Sequence, residues 1–240
     1  MNEHVQVVIP FRDRGTDPLR PANLERVFLH WLDDHHTTPL ITDDGRMGAQ
    51  QFNRSAAYNR GIAAAPSDVE VFVFAESDML VGPDQIDEAI RMAKRDVGLV
   101  VPFTQYRYLS PQDSTLVRTT DADPARMAPA WTMDNGRSIG ALGVISRETM
   151  ELVGQWDERF EGNWYDDNAM HIAFEVCAAH TRFVHGPAYH LHHLSGNHGN
   201  HLTPEDRRAT LRNKQRLGHY QFAARTEDSD RIRALTAGSK

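Results

Sequence analysis

The clearest candidate for chemistry is a pair of carboxylates at the end of an apolar run, in Val71-Phe-Val-Phe-Ala-Glu-Ser-Asp-Met-Leu80. Side chains alternate along a strand, so Glu76 and Asp78 are expected to point to the same side where the strand ends. Two carboxylates this close repel unless a cation lies between them, and oxygen ligands suit Mg²⁺ or Mn²⁺. Ser and Asp are also common turn residues, so a divalent-cation site and an ordinary strand-to-turn junction both stay open.

Histidine supplies a second set of candidate ligands. Eight of the thirteen histidines fall between His171 and His201, several of them in Tyr189-His-Leu-His-His-Leu-Ser-Gly196. In a strand, His190 and His192 would share a face, and His193 would take the other face or begin a turn. One of these could complete a metal shell begun by Glu76 and Asp78. Histidines without a ligand role and a zinc hydrolase are the alternatives, although the sequence has no His-Glu-x-x-His motif.

The third candidate is the acid pair Asp166 and Asp167, which follows Trp164 and Tyr165. We predict a helix that starts at this pair and runs to about residue 180. Its dipole would keep a carboxylate ionised and able to act as a general base near neutral pH. Because Asp is a favoured helix cap, a purely capping role for either residue is the alternative.

Alternating strands and helices must position these side chains. Hydrophobic periodicity predicts strands at 5–9, 40–41, 69–75, 97–101, 140–145, 182–184 and 188–194. Helices are predicted at 24–32, 53–65, 83–95, 146–152 with Ser146 as cap, and 203–217 with Thr203 as cap and Gly218 as its end. This order indicates an α/β fold, in which ligands bind at the carboxyl ends of the strands. The irregular segment 104–135 predicts a lid or substrate wall, with a small sheet as the alternative.

Composition and missing motifs exclude several classes of protein. A single cysteine, Cys177, cannot form an intramolecular disulfide or a multi-thiolate metal site. The longest apolar run, 71–75, is too short to span a membrane, and the first residues are unlike a signal peptide, so we expect a cytoplasmic protein. No Gly-x-Ser-x-Gly, Gly-x-x-x-x-Gly-Lys or Gly-x-Gly-x-x-Gly motif is present, which argues against serine hydrolases, P-loop ATPases and Rossmann dehydrogenases.

Charge is distributed unevenly along the chain. The formal net charge is -7, yet residues 201–240 hold nine Lys or Arg against five Asp or Glu. The first part of the chain is therefore acidic, which suits a cation site, and the last part is basic. Five basic residues lie along one predicted helix: Arg207, Arg208, Arg212, Lys214 and Arg216. A solvated helix face and a contact with a phosphate-rich donor or a nucleic acid are both compatible with this pattern.

Taken in order, the N-terminal segments resemble a family 2-type glycosyltransferase with the GT-A (nucleotide-diphospho-sugar transferase) fold. Val7-Val-Ile-Pro-Phe-Arg-Asp-Arg14 is similar to the opening strand and nucleotide loop of that family, and Ile41-Thr-Asp-Asp-Gly45 to its second-strand acid turn. Ala57-Tyr-Asn-Arg-Gly-Ile-Ala-Ala64 resembles its Arg-Asn-x-Gly helix. Phe74-Ala-Glu-Ser-Asp-Met79 resembles its Asp-x-Asp strand end, with Glu76 in place of the first Asp.

The C-terminal segments resemble the galactosyltransferase-like part of such enzymes. Gly140-Ala-Leu-Gly-Val-Ile-Ser-Arg-Glu148 is similar to a Gly-rich strand of these enzymes. Trp156-Asp-Glu-Arg-Phe-Glu-Gly-Asn-Trp-Tyr-Asp-Asp167 is similar to their Phe-Asp-Glu-x-Phe, aromatic loop and Glu-Asp pair, with Asp166 in place of the Glu. The resemblance implies a mixed, mostly parallel sheet flanked by helices. It also implies a GT-A domain over 1–202, with a nucleotide-sugar half at about 1–103 and an acceptor half at about 104–202, followed by a basic helical extension over 203–240.

The resemblance further implies a role for each site residue. Asp167 would be the general base and Asp166 would orient the acceptor. Donor-binding residues would be Pro10, Phe11, Arg12, Arg14, Asp43, Asp44, Arg60, Glu76 and Ser77, with Asp43 or Asp44 meeting the nucleoside. Acceptor-binding residues would be Trp131, Gly143, Trp164 and Tyr165. Mn²⁺ or Mg²⁺ would be held by Glu76, Asp78, His190 and His193. Core burial is the alternative for each of the aromatic residues, and surface ion pairing for each of the arginines.

These roles predict a metal-dependent, inverting glycosyltransferase that uses a nucleotide-diphosphate sugar. A UDP-sugar is the first expected donor and a GDP-sugar the second. The acceptor could be a glycan, a small molecule, a protein or modified DNA. The alternatives are a nucleotidyltransferase of related fold and a non-catalytic glycan-binding module.

Overall fold

The strand that leads to the first acid pair, β3 (Val71–Ala75), is buried along its whole length. A strand that is apolar on both faces must be covered on both sides, as in α/β sheets. The structure is a computed structural model that describes residues 4–134, 140–196, 199 and 201–237. Within these residues, β3 lies in the interior of the larger of two sheets, and its carboxyl end is the point from which the candidate site is built.

Six strands form the larger sheet, in the order β2-β1-β3-β8-β5-β9. Besides β3 they are β1 (Val5–Pro10), β2 (Leu40–Thr42), β5 (Val100–Val101), β8 (Leu142–Ser146) and β9 (Arg182–Phe183). The pairs β1–β2, β1–β3 and β5–β9 are parallel, and β8 runs antiparallel to both of its neighbours. The sheet is therefore mixed and mostly parallel, which confirms the predicted fold class.

Four further strands form a smaller sheet, in the order β4-β10-β6-β7. They are β4 (Met79–Val81), β6 (Gln105–Tyr108), β7 (Trp131–Asp134) and β10 (Pro187–His190). Glu76, Ser77 and Asp78 connect β3 directly to β4, so the acid pair lies where the chain passes from one sheet to the other. The described part of segment 104–135, predicted as a lid or substrate wall, contains strands β6 and β7 of this small sheet and a helix, α4 (Pro111–Thr119). The alternative prediction of a small sheet was therefore the right one.

Helices cover the sheets and complete the fold. They are α1 (Leu19–Asp33), α2 (Arg54–Ala64), α3 (Pro83–Arg95), α4 (Pro111–Thr119), α5 (Arg147–Val153), α6 (Asp166–Cys177), α7 (Pro204–Arg225) and α8 (Ser229–Thr236), with a short 3₁₀ turn at Pro124–Arg126. The predicted caps Ser146 and Thr203 are confirmed, since each hydroxyl accepts a hydrogen bond from the amide three residues later. No described helix is both long and apolar enough to cross a membrane.

Three predicted boundaries were wrong for identifiable reasons. The last strand ends at His190 rather than residue 194: the Leu191 amide still donates to the Asp78 carbonyl at 2.8 Å, but the His192 and Leu194 amides donate to the side chains of Ser114 and Asp17 instead of a neighbouring strand. Helix α6 ends at Cys177, and its N-cap is Tyr165 rather than either Asp, without a side-chain cap hydrogen bond. Helix α7 continues through Gly218 to Arg225, since burial of the residues around the glycine outweighs its low helix propensity.

The predicted C-terminal extension packs against the rest of the fold. Helix α7 lies on α6 and buries Leu217, Tyr220 and Ala223, and α8 buries Ile232. The Tyr220 hydroxyl donates to the Asp157 carboxylate at 2.9 Å, below α6. The described basic residues of the segment other than Arg216, which pairs with the buried Asp157, therefore lie on its outer face, and its inner face belongs to the hydrophobic core.

Two glycines in helices give a paired test of this packing. A Cβ at Gly61 in α2 would lie 2.4 Å from Cγ1 of Val8 in β1, so Gly61→Ala is expected to lower the free energy of unfolding by about 1–3 kcal/mol. Gly218 in α7 has no atom within 4 Å of the same position, so Gly218→Ala is expected to raise it by about 0.5–1 kcal/mol. Urea unfolding of both variants measures the difference. Equal effects of the two substitutions would contradict the packing of α2 on β1 described above.

Candidate functional site

A carboxylate and two imidazoles meet at the junction of the two sheets. One ligand atom from each of Asp78, His190 and His193 lies within 4.8 Å of the other two. His193 Nε2 is 3.1 Å from one Asp78 oxygen, and His190 Nε2 is 3.8 Å from the other. Asp78 itself is only 3% exposed. Among the described residues this is the one group of three or more acidic, histidine or cysteine side chains close enough to hold a metal ion.

The strand register brings this group together. His190 pairs with Met79 across β10 and β4, so it stands beside the residue that follows Asp78. The rings of Tyr106 and Tyr108 lie 5.6 and 4.8 Å from the His190 ring and restrict its orientation. His192, predicted to share a face with His190, is outside the group because the strand has already ended.

Two details of the hydrogen bonding suit a cation at this point. Asp78 Oδ1 is buried and has no hydrogen-bond partner among the described residues. His193 Nδ1 lies 2.7 Å from the Leu194 carbonyl and donates to it, which directs the Nε2 atom toward the Asp78 carboxylate. A buried carboxylate oxygen left unsatisfied 3.8 Å from the His190 imidazole is costly without a cation. The residues present therefore fit Mn²⁺, which accepts imidazole and carboxylate ligands together.

The electrostatics of the group follow from burial and mutual contact. Burial alone would raise the pKa of Asp78, but His190, His193 and Arg20 hold it well below its usual range. Burial lowers the pKa of His190 to about 4. Burial also acts to lower the pKa of His193, but its hydrogen bond to Asp78 outweighs this and leaves the value raised. Asp78 is therefore ionised and His190 neutral near pH 7, as metal ligands are, whereas the raised pKa of His193 favours the imidazolium, whose proton a bound metal ion would have to displace.

A second cluster is organised by a single guanidinium, that of Arg54. Its Nε and Nη2 atoms donate to the two oxygens of Asp166 at 2.7 Å each, a bidentate pair. Its Nη1 atom donates to the carboxylate of Glu76. Asp167 lies at the edge of this cluster, with one oxygen 4.0 Å from Arg54 Nη2. Glu76 thus pairs with Arg54 and is not part of the Asp78 group.

Burial changes the proton affinity of two carboxylates in this cluster. It raises the pKa of Glu76 to about 7, although Arg54 opposes the shift. It also raises the pKa of Asp167, where the neighbouring charge of Asp166 adds to the effect and Arg54 again opposes it. A raised pKa makes a carboxylate a stronger proton acceptor near neutral pH, and both Glu76 and Asp167 are affected in this way.

The loop before α6 holds two aromatic residues in an unusual conformation. Trp164 and Tyr165 have φ angles of 75° and 77°, the left-handed region that bulky residues rarely adopt. Such conformations cost about 1–3 kcal/mol each and are concentrated at functional sites. Trp164 is 48% exposed, so its ring is available for contact beside the acid pair.

The predicted donor residues divide into two groups. Pro10, Phe11, Arg12, Arg14 and Ser77 line one cleft together with Asp17, Arg20, Asn163 and Asp206. Asp44 is buried and accepts hydrogen bonds from the Arg12 side chain and from the Asn53 amide, so it supports the wall of the cleft. Asp43 and Arg60 are exposed and lie 3.6 Å apart, away from the lining of this cleft.

The predicted acceptor residues are also dispersed. Trp131 is 55% exposed and stacks on Tyr108 at 4.7 Å, so it lies on the His190 side of the site. Gly143 is buried in β8, where a Cβ would lie 2.8 Å from Leu99. Gly140, by contrast, packs directly against Asp167: a Cβ there would lie 2.4 Å from the Cβ of Asp167.

Two arginines of the site were missed by the sequence analysis. Arg54 organises the acid cluster, and Arg20 lies in the cleft with Nη1 4.0 Å from Asp78. Both stand in the first turn of a helix, where a positive charge opposes the helix dipole. An arginine at such an unfavourable position was the signal available in the sequence.

The geometry predicts which acid binds metal. Asp78→Asn is expected to weaken Mn²⁺ binding at least about tenfold, because it removes the one charged ligand, whereas Glu76→Gln leaves the Asp78 group intact. Glu175→Gln is a matched control, since Glu175 also pairs with two histidines, His171 and His180, outside the site. Isothermal titration with MnCl₂ measures all three. Loss of binding in Glu76→Gln but not in Asp78→Asn would reverse the assignment.

Solved structures resemble this fold, while no family model and no curated protein matches the sequence. GalNAc-T7, in a crystal structure with UDP, GalNAc and Mn²⁺, is 15% identical over 94% of this chain and 51% of its own, with a TM-score of 0.50. A mutant of Drosophila β1,4-galactosyltransferase 7, in complex with manganese, UDP-Gal and xylobiose, is 13% identical over 75% of this chain and 63% of its own, with a TM-score of 0.49.

A further similar structure is glucosyl-3-phosphoglycerate synthase from Mycobacterium tuberculosis with Mn²⁺, UDP and phosphoglyceric acid, 14% identical over 95% of this chain and 78% of its own, with a TM-score of 0.48. This chain thus spans between half and two thirds of the length of the first two proteins. The likeness to GalNAc-T7 over nearly the whole chain and the mixed six-stranded sheet agree on the architecture. The chain has the GT-A fold.

Proposed function

We propose that this protein is a metal-dependent glycosyltransferase that moves a sugar from a UDP-sugar to an acceptor hydroxyl with inversion. In this proposal Asp78, His190 and His193 hold Mn²⁺, Asp167 is the general base, and Asp166 orients the acceptor. The donor would occupy the cleft lined by Pro10–Arg14 and Ser77.

One observation carries the proposal: a cation-binding group and a buried carboxylate pair lie on either side of a single ion-paired link at the same sheet edge. Asp78 stands two residues from Glu76, and Glu76 is bound through Arg54 to Asp166. Glycosyl transfer needs these two chemistries side by side, because negative charge develops on a leaving phosphate while a proton leaves the acceptor.

On the donor side, a bound divalent ion would neutralise the diphosphate that departs as the glycosidic bond breaks. The chain supplies the rest of the positive charge in the cleft. Arg20 lines the cleft with 38% of its side chain exposed, and its contacts with Asp17 and Asp78 are loose, at 3.9 and 4.0 Å. Its Nη2 atom also lies 3.3 Å from His193 Nδ1, and the rest of the guanidinium could donate to phosphate oxygens, whereas Arg12 is engaged with Asp44 and the Gly48 carbonyl.

On the acceptor side, Asp167 would take the proton from the acceptor hydroxyl as that oxygen attacks the anomeric carbon. The carbon–oxygen bond to the diphosphate breaks in the same step, so a single displacement inverts the configuration. The bidentate hydrogen bonds from Arg54 fix Asp166, and Asp167 keeps a raised pKa beside it. Asp167 therefore has the character of a proton acceptor, and Asp166 that of a fixed anion that orients a sugar hydroxyl.

The choice of UDP as the nucleotide is supported by the structure of GalNAc-T7, which contains UDP, GalNAc and Mn²⁺. The fit of the Asp78 group to Mn²⁺ is an independent support from this chain. Together they favour a UDP-hexose over the other nucleotide sugars considered from the sequence.

Incubation of the purified protein with UDP-glucose, UDP-galactose, UDP-GlcNAc and UDP-GalNAc, with and without Mn²⁺, tests the proposal directly. We expect Mn²⁺-dependent binding and slow release of UDP from at least one of them in the absence of acceptor. Release of pyrophosphate instead would indicate a nucleotidyltransferase. Binding of free glycans without any donor binding or hydrolysis would indicate a glycan-binding module, and either result would overturn the proposal.

The assigned base is tested by Asp167→Asn. Loss of the proton acceptor is expected to lower kcat for transfer by roughly 10²–10⁴-fold with donor affinity retained, because Asp167 is outside both the cation group and the lining of the donor cleft. Steady-state kinetics and UDP titration measure the two effects. Asp44→Asn is a useful comparison. It weakens the ion pair that holds Arg12 in the wall of the donor cleft, so it should lower the donor affinity. Equal loss of donor affinity in both variants would refute the role of Asp167.

A further inference from the structure

A polar side chain of helix α7 holds the backbone of the segment that precedes α6. Asn213 of α7 is 2% exposed. Its Nδ2 atom donates to the carbonyls of Glu161 at 2.9 Å, Trp164 at 3.1 Å and Asn163 at 3.2 Å. Its Oδ1 atom accepts from the Glu161 amide at 3.3 Å. One side-chain amide thus contacts four backbone groups of residues 161–164, its two N–H donors being shared among three carbonyls; we call this segment, together with Tyr165, the acceptor loop.

The acceptor loop needs such support for two reasons. Trp164 and Tyr165 are held at positive φ, which is unfavourable unless neighbouring contacts fix it. The following helix also begins without a side-chain cap, so the direction in which α6 presents Asp166 and Asp167 depends on the loop as well as on the hydrogen bonds from Arg54 to Asp166. A fixed amide behind the loop therefore determines where the exposed Trp164 ring and the Asp167 carboxylate lie relative to each other.

We propose that Asn213 is a positioning residue for acceptor use, acting through the conformation of the acceptor loop. The inference rests on the proposed function. It means that helix α7 contributes to acceptor binding by positioning the acceptor loop, in addition to carrying basic residues. Asn213 is outside the cation group, and it reaches the lining of the donor cleft through the hydrogen bond to the main-chain carbonyl of Asn163, so its effect should fall mainly on the acceptor.

A purely structural role for Asn213 in holding α7 makes different predictions. The helix has anchors that do not involve this residue: Leu217 and Tyr220 are buried, and both Arg216 and Tyr220 bind the Asp157 carboxylate. Loss of the Asn213 amide should therefore leave α7 in place and release only the loop in front of it. An effect on acceptor kinetics without an effect on donor binding would separate the two roles.

Asn213→Asp tests the inference with almost no change in size. The substituted carboxylate keeps an acceptor for the Glu161 amide but places oxygen against the three carbonyls. We expect faster hydrogen exchange at the amides of residues 162–168. We also expect kcat/KM for the acceptor to fall about ten- to hundredfold, with a much smaller change in the UDP–Mn²⁺ affinity and in acceptor-free hydrolysis. Asn213→Ala, which removes the amide without adding charge, should act in the same direction.

Asn59→Asp is the matched control. The Asn59 side chain also pins a loop, donating to the Trp156 carbonyl and accepting from the Trp156 amide at 2.9 Å each, but it does not touch the acceptor loop. Asn59→Asp should lower the free energy of unfolding without lowering kcat/KM for the acceptor relative to the UDP–Mn²⁺ affinity. Unchanged exchange of the acceptor loop in both Asn213 variants, or loss of donor affinity equal to the loss of acceptor use, would overturn the inference.

The exchange measurement also separates this inference from the proposed function. If the wild-type protein binds no UDP with Mn²⁺, the proposed function fails and the acceptor role of Asn213 fails with it. If wild-type donor binding and transfer are normal but the Asn213 variants keep full acceptor kcat/KM, the inference alone is wrong.

Discussion

The ion cluster around Arg54 is the interaction on which the rest of the site depends. One buried guanidinium from the first turn of α2 binds Glu76 at the end of β3 and Asp166 at the start of α6. Three carboxylates this close would not stay ionised without it, and removing one member of a buried ion pair typically costs about 3–5 kcal/mol. The cluster therefore fixes the distance between a strand end that leads to Asp78 and a helix start that carries Asp167. It joins the two halves that a two-substrate reaction needs.

The two sheets explain why the cation group stands where it does. The chain crosses from the buried strand β3 to β4 through Glu76, Ser77 and Asp78, and strand β10 places His190 beside that crossing. Asp78 is thereby buried yet left with an unsatisfied oxygen. The glutamate that replaces the first Asp of the resembled motif has a longer arm, and it reaches Arg54 instead of joining the imidazoles. The departure in sequence thus has a direct structural consequence.

Much of this could be predicted from the chain because local patterns agree with the fold. The apolar run 71–75, the alternation of strands and helices, and the caps at Ser146 and Thr203 are all local signals, and the structure confirms them. What failed depends on tertiary contacts: helix α7 passes through Gly218 because its neighbours are buried, and the small sheet forms from segments distant in sequence. Arg54 and Asn213 were missed for the same reason, since Arg54 pairs with Asp166, 112 residues away, and Asn213 with loop carbonyls 49 to 52 residues away.

The central claim is that the junction of the two sheets binds a divalent cation together with a nucleotide diphosphate. Anomalous diffraction from crystals grown with UDP and Mn²⁺ tests it most directly. The account predicts one manganese peak among Asp78, His190 and His193, with the diphosphate of UDP next to it in the cleft lined by Arg20 and Ser77. A manganese peak at Glu76 and Asp166, or UDP bound elsewhere with no peak at Asp78, would contradict it.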